Sequence, residues 1–284
     1  MTLPLENRLK NILGQQPVRC VRLTGGCVAD VYCADFGDGE RFVVKVGLAG
    51  DVLAQEGEML KYLLAHSTLP VPKVFYNSDD LLVMDYIEGG DPITTVAQEH
   101  AADLLAALHN VTMSSFGFQN HTVIGGLQQP NPWTQDWVEF FREQRLLYMA
   151  VQAVKSGHLA QSLLVRIEEL STHLDRWLSA PAQASLIHGD MWSGNVLCKE
   201  NRIAGLVDPA IYYGDPEIEL AFSTLFHTFQ EPFFSRYQEH RPLSPGFFEE
   251  RRYIYNLYPL LVHLRLFGGS YVKNVEAILT RFGF

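Results

Sequence analysis

The spacing of apolar residues changes character once along this chain, and that change constrains the fold more than any other feature. Up to about residue 88 the apolar stretches are mostly short and strand-like; beyond it they recur at helical spacing. After a short amphipathic helix over Met1–Gly14, Arg19–Thr24 and Val31–Phe36 read as strands. Gly37-Asp38-Gly39 is a turn of hairpin type, and Phe42–Val46 is a third strand. Val52–Ala65 has helical periodicity, with Leu53, Glu56, Met59, Leu60, Leu63 and Leu64 near one face. Val71-Pro72 opens an extended segment, and Leu81–Ile87 is a strand stopped by Gly89-Gly90. Thr95–Val111 is then a helix, Gly117–Pro132 a polar loop, and Trp133–Gly157 and His158–Leu178 two long helices. Ser185–Val207 reads as loop between short strands, and the chain from Glu217 onward as helical and aromatic-rich. This predicts an α+β fold in two parts, a small β-rich part over 1–88 and a larger, mostly helical part over 89–284.

The densest chemistry lies at His188-Gly189-Asp190-Met191-Trp192-Ser193-Gly194-Asn195, with Asp208 following the apolar strand Ile203–Val207. Each piece alone reads as a turn, a loop residue or a cap. Together they match what phosphoryl transfer needs, namely a carboxylate to orient a hydroxyl and oxygen ligands for magnesium. Asp190 suits the first role, and Asn195 and Asp208 the second. His188 reads as a packed structural residue. Further upstream, Lys45 interrupts the apolar strand Phe42–Val46, so its ammonium must reach water or an anion. In a nucleotide site it reaches phosphates and is held by a helix carboxylate. Glu56, on the apolar face of its helix, is favoured for that partner over Glu58, which shares a side with Lys61.

Two signals are positional. Gly25 and Gly26 lie between two strands ahead of Lys45, where a phosphate-covering loop belongs, although two glycines alone are a hairpin turn. The strand carrying Met84, Asp85 and Ile87 enters a glycine-rich joint, where backbone groups meet adenine and Met84 closes the back of the pocket. Trp192, two residues past Asp190, faces either the cleft or the loop beneath it.

Composition narrows the partners. A formal net charge of −10 argues against nucleic acid. Four cysteines without zinc or CxxC spacing argue against a structural metal or a disulfide scaffold. No apolar stretch is long enough to span a membrane, and the start lacks a signal-peptide pattern, so a cytoplasmic location is expected. Oligomeric state is not encoded in any feature of the chain.

From the Gly25-Gly26-Cys27 loop to Leu266-Phe267-Gly268-Gly269-Ser270-Tyr271, the chain resembles the fructosamine kinases, within the wider aminoglycoside-phosphotransferase and protein-kinase-like group. The shared pattern runs through His188-Gly189-Asp190-x-Trp192-x-x-Asn195, Asp208-Pro209-Ala210 with Tyr212-Tyr213-Gly214, Glu56-Gly57-Glu58, and Phe116-Gly117-Phe118 with Gln129, Asn131 and Trp137. The resemblance implies a bilobal kinase fold, ATP and Mg2+ as cofactors, and phosphorylation of a sugar hydroxyl of ketoamines, free or on glycated lysine. In that reading Trp192, Asp215 and Glu217 hold the substrate, and Asp215 stands where many members carry histidine. It also raises a redox role for Cys27, for which an inert loop cysteine is the favoured reading. The alternatives are another small-molecule kinase, acting on an aminoglycoside or amino alcohol, and a nucleotide-binding pseudokinase.

Overall fold

The structure is a computed structural model and describes residues 4–23, 29–47 and 52–284. Helix α1 (Leu5–Leu13) ends at Gly14, whose left-handed φ of 79° returns its N–H to the Lys10 carbonyl. Strands β1 (Arg19–Leu23), β2 (Asp30–Asp35) and β3 (Arg41–Val46) form an antiparallel meander. Helix α2 (Val52–His66) leads to β4 (Val74–Asn77) and β5 (Leu81–Asp85), and β5 inserts between β3 and β4 to give the order β1-β2-β3-β5-β4. The run Leu81-Leu82-Val83-Met84 is apolar throughout because both faces of the sheet are covered. Leu81 and Val83 join Leu9, Phe42 and Val44 on the α1 side, and Leu82 and Met84 join Met59, Leu60 and Leu63 of α2 on the other. Lys45 pairs with Val31 and Leu82, so it leaves the sheet on the α2 side, opposite to Val44.

The larger part begins with α3 (Thr95–His109), capped by the Thr94 hydroxyl accepting from the Ala97 N–H. It continues through β6 (Thr112–Met113), the hairpin β7 (Thr122–Ile124) and β8 (Leu127–Gln129), then α4 (Trp137–Phe141), α5 (Tyr148–Lys155) and α6 (Gln161–Ser171). Strand β9 (Ala184–Ile187), the hairpin β10 (Val196–Lys199) and β11 (Arg202–Leu206), and β12 (Tyr212–Gly214) frame the segment richest in polar motifs. Helices α7 (Pro216–Leu225), α8 (Glu231–His240), α9 (Arg252–Phe267) and α10 (Val272–Arg281) complete the chain. A short sheet β12-β9-β6 sits against them, and their apolar faces share one core with α2 and the inner face of the first sheet.

Two elements differ from the sequence expectation. The polar segment 117–132 contains the β7–β8 hairpin, closed by Gly125 and Gly126 with φ of 54° and 80°. Two consecutive left-handed residues form the turn whose twist matches paired strands, and glycine adopts them without steric cost. Thr122, Gln129 and Asn131 are buried with their polar atoms partnered: the Gln129 and Asn131 amides each donate to the Thr122 hydroxyl at 2.8 Å. The helix expected from Trp133 starts only after Asp136, which caps the Glu139 N–H, and it carries a π turn over Arg142–Leu147. Arg145 in that turn is fully buried. Its guanidinium lies 3.9 Å from the Tyr212 ring centroid and donates to the Pro130 carbonyl at 2.7 Å and to Asn131 Oδ1.

Candidate active site

Backbone hydrogen bonds bring the two halves of the motif together. The loop between β9 and β10 carries His188–Asn195, and Asp208 follows β11. Ala210 N–H donates to the His188 carbonyl at 2.7 Å and Val207 N–H to the Asn195 carbonyl at 3.1 Å. The approach is so close that a Cβ on Gly189, which has φ +86°, would sit 2.1 Å from the Ala210 carbonyl oxygen. Asp208 itself has φ 54°, a conformation rare outside glycine, asparagine and aspartate.

Lys45 lies between two carboxylates, with Glu56 Oε1 at 2.7 Å and Asp208 Oδ1 also bonded. Glu58 instead pairs with Lys61 on the exposed side of α2. Burial alone would pull the Lys45 ammonium down, but the two carboxylates outweigh it and keep it protonated. Asn195 Nδ2 donates at 2.9 Å to the Asp190 carboxylate and at 2.9 Å to its backbone carbonyl. Because the amide nitrogen is spent on Asp190, the acceptor atom Oδ1 is the one available for a cation. Burial pushes the Asp190 carboxyl up to about 7; the Asn195 amide opposes the rise, the Asp208 charge adds to it, and the Trp192 indole opposes it. Lys45, Glu56, Asp190, Trp192, Asn195 and Asp208 all line one cavity of about 700 Å³.

The remaining sequence candidates fall elsewhere. Gly25, Gly26 and Cys27 lie outside the described residues. Met84 is buried in the core, Asp85 accepts the Lys73 N–H at 3.1 Å, and Ile87 packs where a Cβ on Gly205 would sit 2.5 Å from it. None of these three lines the cavity. Neither do Asp215 and Glu217. The Asp215 carboxylate caps α7 by accepting the Glu217 N–H at 2.9 Å, and it accepts the Tyr255 hydroxyl at 2.7 Å. Burial and the Glu217 charge push it up to about 7. Glu217 is held by two nitrogens of Arg251. Both acids are therefore already engaged, and an amine in the cavity meets neither.

Sequence reasoning passed over Glu219. Its side chain is fully buried, with Oε1 accepting the Gly189 N–H at 2.7 Å and Oε2 facing His109 Nε2 at 2.8 Å. His109 Nδ1 in turn meets the Tyr237 hydroxyl at 2.8 Å. A carboxylate inside the apolar helix Ile218-Glu219-Leu220-Ala221-Phe222 was the available signal. Glutamine has one acceptor where Glu219 offers two, so Glu219→Gln keeps the Gly189 N–H satisfied only if His109 exchanges its tautomer to accept the new amide N–H and the Tyr237 hydroxyl turns to accept from Nδ1. The expected cost is about 2 kcal/mol of stability in urea unfolding, with kcat falling more than the KM for ATP changes. Wild-type unfolding and turnover in Glu219→Gln would remove it from the support of the loop.

The fold and this cavity define a protein-kinase-like phosphotransferase scaffold, and the comparisons agree. An aminoglycoside phosphotransferase solved with ADP and hygromycin B superposes with a TM-score of 0.70 at 18% identity, over 99% of both chains. A model of the fructosamine kinase family matches residues 5–282. The chain belongs to that family. It is 34% identical over 269 residues to a protein of Synechocystis assigned as a ketoamine kinase, covering 90% of this chain and 88% of the relative. It is 31% identical over 293 residues to the chloroplastic protein-ribulosamine 3-kinase of Oryza sativa subsp. indica, covering 94% and 83%. A Thermobifida fusca crystal structure assigned as a fructosamine-3-kinase superposes with a TM-score of 0.85 at 31% identity, over 97% and 98% of the two chains.

Proposed function

We propose that this protein is an ATP-dependent kinase that phosphorylates a sugar hydroxyl of ketoamines, a step in removing glycation adducts from amines or lysine side chains. The observation that carries the reading is the convergence of Lys45–Glu56, Asp208 and the Asn195–Asp190 pair on one cavity, within a chain of the fructosamine kinase family. Residues 1–88 are taken as the nucleotide-binding lobe and 89–284 as the lobe of the catalytic loop and acceptor, with the reaction in the cytoplasm.

The roles follow from charge and geometry. Lys45 reaches the nucleotide phosphates, and Glu56 keeps it pointed there. Its charge against those of Glu56, Asp190 and Asp208 leaves the cavity acidic, so a polyphosphate enters it together with divalent cation. The Asn195 Oδ1 and the Asp208 carboxylate are hard oxygen donors that fit Mg2+, which keeps several waters and takes few protein ligands. A Mg2+ held by these two residues would supply positive charge to offset the negative charge that develops on transfer. Asp190 accepts a hydrogen bond from the attacking hydroxyl, orients it in line, and takes its proton as the bond to phosphorus forms. A steady-state screen tests the assignment. ADP release is expected with fructosamines and ribulosamines and not with aminoglycosides. Turnover confined to aminoglycosides or amino alcohols would replace the ketoamine reading, and nucleotide binding without any turnover would favour a pseudokinase.

A further inference from the structure

Away from Lys45 the cavity changes character. Its acidic lining residues, Glu56, Asp190 and Asp208, all belong to the phosphate-transfer cluster. Beyond Trp192 the wall is aromatic and carries no carboxylate among the described residues. The rings form a chain: Trp192 meets Phe226 edge-on at 6.5 Å, and Phe226 lies 4.7 Å from His263. His263 in turn lies 5.6 Å from Phe267 and 5.3 Å from Tyr271. The C-terminal motif builds this wall. Helix α9 puts His263 and Phe267 one turn apart, and Gly268, at φ 85°, ends it. The chain then turns back and sets Tyr271 against His263. The facing wall is the β7–β8 turn, where a Cβ on Gly125 would sit 2.6 Å from Leu266 Cδ1.

His263 supplies the polar atom in this wall whose role the geometry defines. Its Nδ1 lies 2.8 Å from the Pro259 carbonyl, which can only accept, so Nδ1 carries the hydrogen. Burial lowers the imidazole's affinity for a second proton. Nε2 is then a lone-pair acceptor on a ring that lines the cavity. Phe267 stands at the outer end with 53% of its surface exposed, a large ring left without cover.

We propose that Phe226, His263, Phe267 and Tyr271 form the subsite for the amine side of the ketoamine, selecting aliphatic or aromatic amine substituents over those carrying further charge. The inference rests on the ketoamine reading and adds the part of the acceptor that the phosphate-transfer residues do not touch. The sugar hydroxyl at Asp190 lies a few bonds from the amine nitrogen, and the phosphates occupy the Lys45 side, so the substituent leaves along the aromatic wall. Nε2 of His263 accepts the amine N–H, and the rings stack on the substituent or face a single ammonium. Among the described residues this wall has no acid, and His263 Nε2 and the Tyr271 hydroxyl are both neutral, so a second charge is left uncompensated.

The test uses fructosamines of one sugar with different amines: benzyl, butyl, glycine and 4-aminobutyl. The benzyl and butyl adducts are expected to exceed the glycine and 4-aminobutyl adducts in kcat/KM by about tenfold or more. Phe267→Ala is expected to raise the KM of the benzyl adduct roughly 3- to 10-fold and flatten the series, with the KM for ATP unchanged. His263→Phe keeps a ring in the wall but removes the acceptor, and should raise the KM across the whole series, whereas His263→Gln restores an acceptor and part of the affinity. A series without discrimination in the wild type, or discrimination untouched by Phe267→Ala, overturns the subsite while leaving the kinase assignment standing. Failure of every adduct to turn over overturns the assignment itself.

Discussion

Asp208→Asn is expected to reduce turnover by about a thousandfold or more while leaving the fold intact. The carboxylate does two things at once. One oxygen bonds Lys45, and under the proposed function the group would be, with Asn195, an oxygen ligand for the divalent cation. Asparagine keeps the volume and tolerates the left-handed backbone at φ 54°. Asp208→Ala removes the same charge but adds backbone strain, so agreement between the two variants separates charge from conformation. The side chain is 45% exposed, and its loss should move the melting temperature little. Turnover and melting temperature measured together decide the matter. Either variant retaining a substantial fraction of wild-type kcat would sink the metal-site assignment.

Asp190→Asn is expected to lower kcat by roughly 10²- to 10⁴-fold and to change nucleotide affinity little. The asparagine carbonyl still accepts from Asn195 Nδ2, so the loop geometry is held. What disappears is the capacity to take a proton from a sugar hydroxyl that is hardly ionised at neutral pH. Titration with a fluorescent ATP analogue alongside steady-state kinetics separates the two effects. A collapse of nucleotide affinity would instead make Asp190 a metal or structural residue.

The local parts of the site were legible because each has a covalent or periodic signature. Lys45 stood out as a charge inside an apolar strand, and Glu56 as the acid on the buried face of its helix; the structure sets them 2.7 Å apart. Asp190 and Asn195 share one short loop. The hairpin over 122–129 was masked by polar composition, since the segment reads as a polar loop until the hydrogen bonds among Thr122, Gln129 and Asn131 are seen. Asp215 and Glu217 read as substrate-holding acids, and the partners that engage them, Tyr255 and Arg251, lie in a distant helical segment.

The sequence by itself determined the two-part architecture, the position of the strand lysine and its helix partner, and the family. These follow from apolar periodicity and from motifs whose members are close in the chain. Only the tertiary structure decided that Glu219 and His109 lie beneath the His188–Asn195 loop, that Asp215 is a helix cap, and that the C-terminal aromatic motif closes back on His263. Each is a contact between segments far apart in sequence. Which buried polar group meets which partner is set by packing, because an unpaired one would forfeit its hydration without compensation. No local pattern in the chain encodes that choice.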